Sequence, residues 1–200
     1  VLIHQGGTQT SYAGATRPGE ILGEEINAIV SRLDGAIDVV VSGHSHAFSN
    51  ALLPNAAGGQ TLVVQAFSAS TAYDDVELKI DPVSGDVISK SASIVTTYAD
   101  QAPGNTPDAA VSALVAQAET AVAPRVNQVV GTASSALTRT PSNAGESALG
   151  NLIADAQRAA MGTELAFMNP GGIRADLDVG PVTWGELFTI QPFGNSLVKL

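Results

Sequence analysis

Ile37-Asp38-Val39-Val40-Val41-Ser42-Gly43-His44-Ser45-His46 is the stretch on which the reading of this chain turns. Its first half is a β-branched run, the pattern of a strand covered on both faces. Its second half is a short loop with two imidazoles flanking one serine. Upstream, Val1-Leu2-Ile3 reads as another apolar strand, and His4 follows it directly. Between the strands, Gly19–Leu33 has helical periodicity: Leu22, Ile26, Ile29, Val30 and Leu33 form one apolar stripe, which Asp34-Gly35 ends. Strand, helix, strand with short connections is the signature of a βαβ unit, whose strands run parallel. Ligands gather at the carboxyl ends of such strands. That topology brings His4 toward His44 and His46.

Downstream, Thr61–Gln65 reads as a strand. Val76, Leu78 and Ile80 alternate with Asp75, Glu77 and Lys79, a half-solvated strand that turns at Asp81–Gly85 and returns as Val87–Val95, a hairpin. Pro103, Gly104, Asn105 and Pro107 mark a linker. Thr106 is placed to cap a helix with Pro107 at its first position, carrying Val111, Leu114, Val115 and Ala118, with Pro124 as its stop. Val126–Leu137 reads as extended. Asn143 and Glu146 stand at capping-box spacing before a helix with Leu149, Leu152, Ile153, Ala156 and Ala160 inward, ended by Gly162. Leu165–Met168 reads as a buried strand, Asn169–Arg174 as a Gly-rich loop, and Thr183-Trp184-Gly185-Glu186 as a capping box. Ser196–Leu200 reads as a last strand. With strands at both ends, the chain reads as an internal piece of a longer one.

Composition narrows the function. Nine Lys+Arg against 19 Asp+Glu give a net charge of −10, which leaves no electrostatic footing for a nucleic-acid polymer. Small phosphorylated ligands remain open, because one Arg or a bound metal supplies local positive charge. With 44% hydrophobic residues the chain is not mainly disordered. No run approaches the roughly 20 apolar residues of a membrane helix. The absence of Cys removes disulfides, Cys-based metal sites and thiol catalysis.

Three clusters carry chemistry. Imidazoles suit zinc, manganese or iron. In an extended loop His44 and His46 share a side, and Gly43 lets backbone approach a metal; the alternative is exposed loop histidines without a role. In Asn169-Pro170-Gly171-Gly172-Ile173-Arg174, Arg174 offers a planar five-donor fork for phosphate, carboxylate or ribose oxygens, or is a surface Arg on an ordinary turn. Phe193, between Pro192 and Gly194, is a stacking platform for a base or, more commonly for such a residue, a core side chain. Asp74-Asp75 and Asp176/Asp178 read as solvated turns. No Gly-x-x-x-x-Gly-Lys loop and no Gly-x-Ser-x-Gly occurs.

Taken in order, these clusters resemble the 5′-nucleotidase family of two-domain metallophosphoesterases. Gly43-His44-Ser45-His46 matches its Gly-His-Ser-His/Gln signature, and His4 its upstream metal-binding His. Glu146–Ala156 looks like the opening helix of its nucleotide-binding domain, and Asn169–Arg174 and Pro192–Asn195 like the base- and ribose-binding loops. The resemblance implies an α/β fold: a partial metallophosphoesterase sandwich (βαβ plus hairpin) over residues 1–97, a linker with helix over 98–125, and a partial α+β nucleotide-binding domain over 126–200. It implies that His4 and His44 hold one divalent ion and His46 another, zinc or manganese. Asn169, Gly171, Gly172 and Arg174 would contact the nucleoside, Phe193 would stack on its base, and Arg139 lies where relatives carry substrate-binding arginines. The family's Asp-x-His and Asn-His-Asp/Glu motifs are absent, so no catalytic residue is assigned here. The implied activity is hydrolysis of nucleoside 5′-monophosphates outside the cell, in the cell wall or in the periplasm. A 2′,3′-cyclic-nucleotide phosphodiesterase/3′-nucleotidase, a nucleotide-sugar hydrolase and a non-catalytic nucleotide-binding surface module are the alternatives.

Overall fold

The structure is a computed structural model that describes residues 1–9, 14–19 and 23–199. Leu22 and Leu200, both named above, lie outside the described residues. The chain divides into two compact units, Val1–Pro107 and Asp108–Leu200.

In the first unit, β1 (Arg17–Pro18), α1 (Glu24–Val30), β2 (Val39–Val41), β3 (Phe48–Pro54), β4 (Gln60–Ala66), β5 (Ala72–Ile80) and β6 (Val87–Thr96) follow one another. Four of the strands form a sheet in the order β1-β3-β4-β2. β2 runs parallel to β4, and β3 antiparallel to β4. Leu2 bridges Val41 in parallel, so the strand expected at Val1–Ile3 is reduced to one bridge, with the expected direction. Side-chain alternation sorts the sheet's two faces. Val40, Ala51, Leu53 and Val63 pack with Ile26 and Val30 of α1. Leu62 and Val64, with Val39, Val41 and Leu52 beside them, pack with Ala92, Val76 and Ile94 of the β5–β6 hairpin. The Val39–Val41 run is thus covered on both faces, as its composition predicts.

Three expectations for this unit need correction. The helix ends at Val30 rather than Leu33, because Arg32 and Leu33 donate to the Ile29 and Val30 carbonyls in tighter i→i+3 turns. Strand β3 was not expected from a segment holding Ser49, Asn50 and Pro54. Phe48, Ala51 and Leu53 bury it by hydropathy, and hydrogen bonding accommodates its polar centre: the buried Asn50 amide donates to the Ala92 carbonyl at 2.9 Å. Asp74 and Asp75 lie within β5, not in a solvated turn. One Asp74 oxygen is buried without a hydrogen-bond partner, and burial pushes its carboxyl above the ordinary value.

The second unit contains α2 (Ala109–Val126), β7 (Val129–Ala133), α3 (Ala148–Met161), a 3-10 turn at Pro170–Gly172, β8 (Gly180–Thr183) and α4 (Trp184–Ile190). β7 pairs antiparallel with β8. Leu149, Ile173, Leu177, Val182 and Ile190 form the core. The cap of α2 is Asp108, not Thr106, since its carboxylate accepts from the Ala110 and Val111 N–H groups, each at 2.9 Å. Pro124 sits inside the last turn, where losing one backbone donor costs one hydrogen bond and the helix needs only two residues more. Val111, Leu114 and Val115 are exposed. Ser147 caps α3 by accepting from Gly150 N–H, and Asn143 and Glu146 instead belong to a turn closed by the Gly145 N–H to the Ser142 carbonyl and the Ser142 N–H to the Glu146 carbonyl. Leu152, expected inward, is exposed. Gly162 ends α3 in the left-handed conformation (φ 59°) and Thr183/Glu186 form the capping box, both as predicted.

Leu165–Met168 is not a buried strand: Leu165 and Phe167 are 73% and 90% exposed. Among the described residues no strand lies beside this run to take its backbone hydrogen bonds, and hydrophobicity alone does not make a strand. Residues 196–199 form no strand either. On the α4 side, the Arg125 guanidinium lies 5.1 Å from the Trp184 ring centre, and Trp184 stacks on Phe188 at 5.3 Å with planes 16° apart.

Candidate functional site

Two groups of the singled-out residues assemble, one in each unit. In the first, the Leu2–Val41 bridge places the ends of both chain segments at one sheet edge. His4 and His44 meet there edge to face, with ring centroids 5.0 Å apart. All three histidines are exposed and open to a ligand. The loop is not extended, contrary to expectation: His44 and His46 both take left-handed backbone conformations, φ 75° and 57°. Such conformations cost about 1–3 kcal/mol each in a non-glycine residue and cluster at functional sites. In this loop residues two apart therefore do not share a side by backbone alternation.

Hydrogen bonds pin the loop from below. Gln65 on β4 is buried and donates from Nε2 to Ser45 Oγ at 2.8 Å. Ser45 Oγ donates in turn to the Gly7 carbonyl at 2.9 Å. Gly43 N–H donates to the Gln5 carbonyl at 3.3 Å. As a donor set, His4 and His44 fit two positions of a divalent-metal site, since neutral imidazole nitrogens are good ligands for zinc and manganese. Among the described residues no group of three His, Cys, Asp or Glu side chains gathers, so the pair does not complete the three protein ligands a catalytic ion normally takes.

In the second unit, the 3-10 turn folds Asn169–Arg174 back on itself. The Asn169 side chain accepts from Gly171 N–H at 3.1 Å, and Arg174 Nη1 donates to the Gly171 carbonyl at 3.1 Å. The Arg174 guanidinium lies 5.6 Å from the centre of the Phe193 ring. Phe193 is 50% exposed, which removes the core-residue alternative. Arg139 braces the same loop: its Nη1 donates to the Arg174 carbonyl at 2.9 Å, and its backbone N–H donates to Asp176 Oδ1 at 2.8 Å. Asp176, read from sequence as part of a solvated turn, is thus a tether between two loops, and nothing in its local sequence signals that partner. At Gly172 a Cβ would fall 2.7 Å from Met168 Cε, so any side chain there requires the flexible end of Met168 to move.

The family model of the 5′-nucleotidase C-terminal domain matches residues 129–200, which include Arg139, the 3-10 turn, Arg174 and Phe193. A Bacillus subtilis protein named endonuclease YhcR is 41% identical over 190 residues, 95% of this chain and 15% of its own length. The Listeria monocytogenes cell wall protein Lmo0130 is 30% identical over 98% of this chain and 27% of its own length. A solved 5′-nucleotidase precursor from Thermus thermophilus superposes with a TM-score of 0.60 at 28% identity, over 86% of this chain and 36% of that one. The chain thus spans between about a seventh and a third of these proteins. Residues 129–200 match the 5′-nucleotidase C-terminal domain family, and the chain is similar to a solved 5′-nucleotidase through most of both units.

Proposed function

We propose that this chain belongs to a divalent-metal-dependent hydrolase that splits nucleoside 5′-monophosphates into nucleoside and phosphate. The observation that carries the reading is the Arg174 guanidinium over a half-exposed Phe193, beside the Asn169 turn and inside the matched domain. A planar cation and an aromatic face side by side suit a flat base and its polar sugar. In this reading Phe193 stacks on the base. Asn169, Gly171, Gly172 and Arg174 contact the nucleoside, and Arg139 holds their loop within reach of it. His4 and His44 hold one ion and His46 the other. When bound, the ions supply Lewis acidity and charge neutralisation at the phosphoryl group. Residues 1–97 then serve as part of the metal-binding domain, 98–125 as the linker and 126–200 as part of the nucleotide-binding domain. A relative named a cell wall protein supports a place outside the cell or in its wall. No helix among the described residues is long and apolar enough to cross a membrane.

One observation favours a second reading. The relative at 41% identity bears the name endonuclease, which makes a phosphodiester in a polynucleotide the rival substrate. The net charge of −10 argues against this chain tracking such a backbone. The test is hydrolysis by the natural protein of adenosine 5′-monophosphate, 2′,3′-cyclic AMP, a nucleotide sugar and single-stranded DNA. The monophosphate is expected to be turned over best, and a preference for any other overturns the substrate assignment. His44→Ala and His46→Ala are each expected to lower turnover by at least ~100-fold, comparable to losing one transition-state donor. Full turnover with unchanged metal content in both would remove the metal roles.

A further inference from the structure

The loop that carries His44 and His46 is tied to the chain after His4 and to β4 through one side chain, that of Ser45. Ser45 has one hydroxyl hydrogen, and the Gly7 carbonyl 2.9 Å away takes it. Ser45 Oγ must then accept from Gln65 Nε2 at 2.8 Å, which fixes the amide and turns Gln65 Oε1 toward Ser42 Oγ at 3.2 Å. Gln65 is 2% exposed, so its orientation is set by the sheet rather than by solvent. The chain of bonds therefore runs from the core of β4, through the residue between the two histidines, to the backbone three residues after His4. The approach is close: a Cβ on Gly6 would fall 2.6 Å from Ser45 Cβ. Left-handed conformations at His44 and His46 persist only where the surroundings over-determine them, and this is the surrounding that does so.

We propose that Gln65 and Ser45 are a positioning pair that sets the spacing of the His4 and His44 imidazoles toward a divalent cation. This rests on the reading of those imidazoles as metal ligands. The experiment uses the full chain, free of metal and then titrated with Zn²⁺ alone, and follows the imidazole protons by NMR. In the wild type a cross-relaxation peak between the His4 and His44 rings is expected. Ser45→Ala and Gln65→Met should each abolish it and weaken Zn²⁺ binding by about 10-fold or more, the usual effect of losing an outer partner of a ligand. The double variant should be no worse than the worse single one, because both changes cut one chain of bonds. Gly6→Ala should act likewise from the opposite loop. A ring-to-ring peak and Zn²⁺ affinity left intact in Ser45→Ala, whatever happens to its thermal midpoint, overturn the proposal. Should Gln65→Met fail to fold, the more exposed Ser45 and Gly6 changes still decide. If the wild type binds no Zn²⁺, or His44→Ala binds it equally well, the ligand reading fails. The ring-to-ring peak then decides the positioning role by itself.

Discussion

Phe193 and Asp74 show how one side chain's surroundings decide its behaviour. With Arg174 at 5.6 Å and half its surface exposed, Phe193 is not a core side chain, and in the proposed reading its open face takes the base. Phe193→Ala should weaken adenosine 5′-monophosphate binding by about 1–3 kcal/mol, the usual range for base stacking. Ribose 5-phosphate, which has no base, should bind as before. Calorimetric titration of both ligands checks this, and equal losses would mean damage to the fold. Asp74 has the opposite problem, a carboxylate oxygen buried with no partner. Burial holds its proton more tightly in the folded state than in the unfolded one. That contribution is complete below the unfolded value and is lost as pH rises through the folded one. At neutral pH the ionised group therefore works against the first unit. Asp74→Asn should raise the thermal midpoint by a few degrees at about pH 7, with the gain fading toward about pH 3. A midpoint difference independent of pH would show that charge is not the cause.

Elements were legible where a local rule decides them. The β5–β6 hairpin follows from strict alternation, the α4 start from Thr183 and Glu186, and the α3 end from Gly162. They were illegible where a distant partner decides. The polar centre of β3 is accommodated through Asn50, whose amide bonds to Ala92 on β6, and no window of sequence contains both. Leu165–Met168 is the converse case: the run has the composition of a buried strand, and no pairing strand lies beside it among the described residues. At the site, the meeting of His4 with His44 followed from the parallel βαβ topology alone. The left-handed loop around Ser45 did not, because the partner Ser45 meets there, Gln65 of β4, is distant in sequence. Capping gives a direct test at this scale. Ser147→Ala removes the acceptor of Gly150 N–H and should cost the second unit about 1 kcal/mol, read as a lower urea midpoint with an unchanged slope. Asn143→Ala should change neither, since Asn143 does not cap α3.

For the whole molecule, the two units each bring one cluster, and the donor set of the first is short. His4 and His44 meet without a third His, Asp or Glu among the described residues. Residues 1–200 by themselves should therefore hydrolyse no nucleotide above a blank containing zinc or manganese only, and should bind either ion weakly. Turnover that His44→Ala abolishes would reveal a complete site. Folding of the 200-residue chain can be followed unit by unit, because the stack beside α4 has an optical consequence. Trp184 is the sole indole of the chain, with Arg125 and Phe188 both packed on its ring. Its emission, excited beyond tyrosine absorption, comes from the unit Asp108–Leu200, and Val1–Pro107 holds no indole. Circular dichroism registers both halves, so denaturation curves from the two signals coincide only where the halves melt as one.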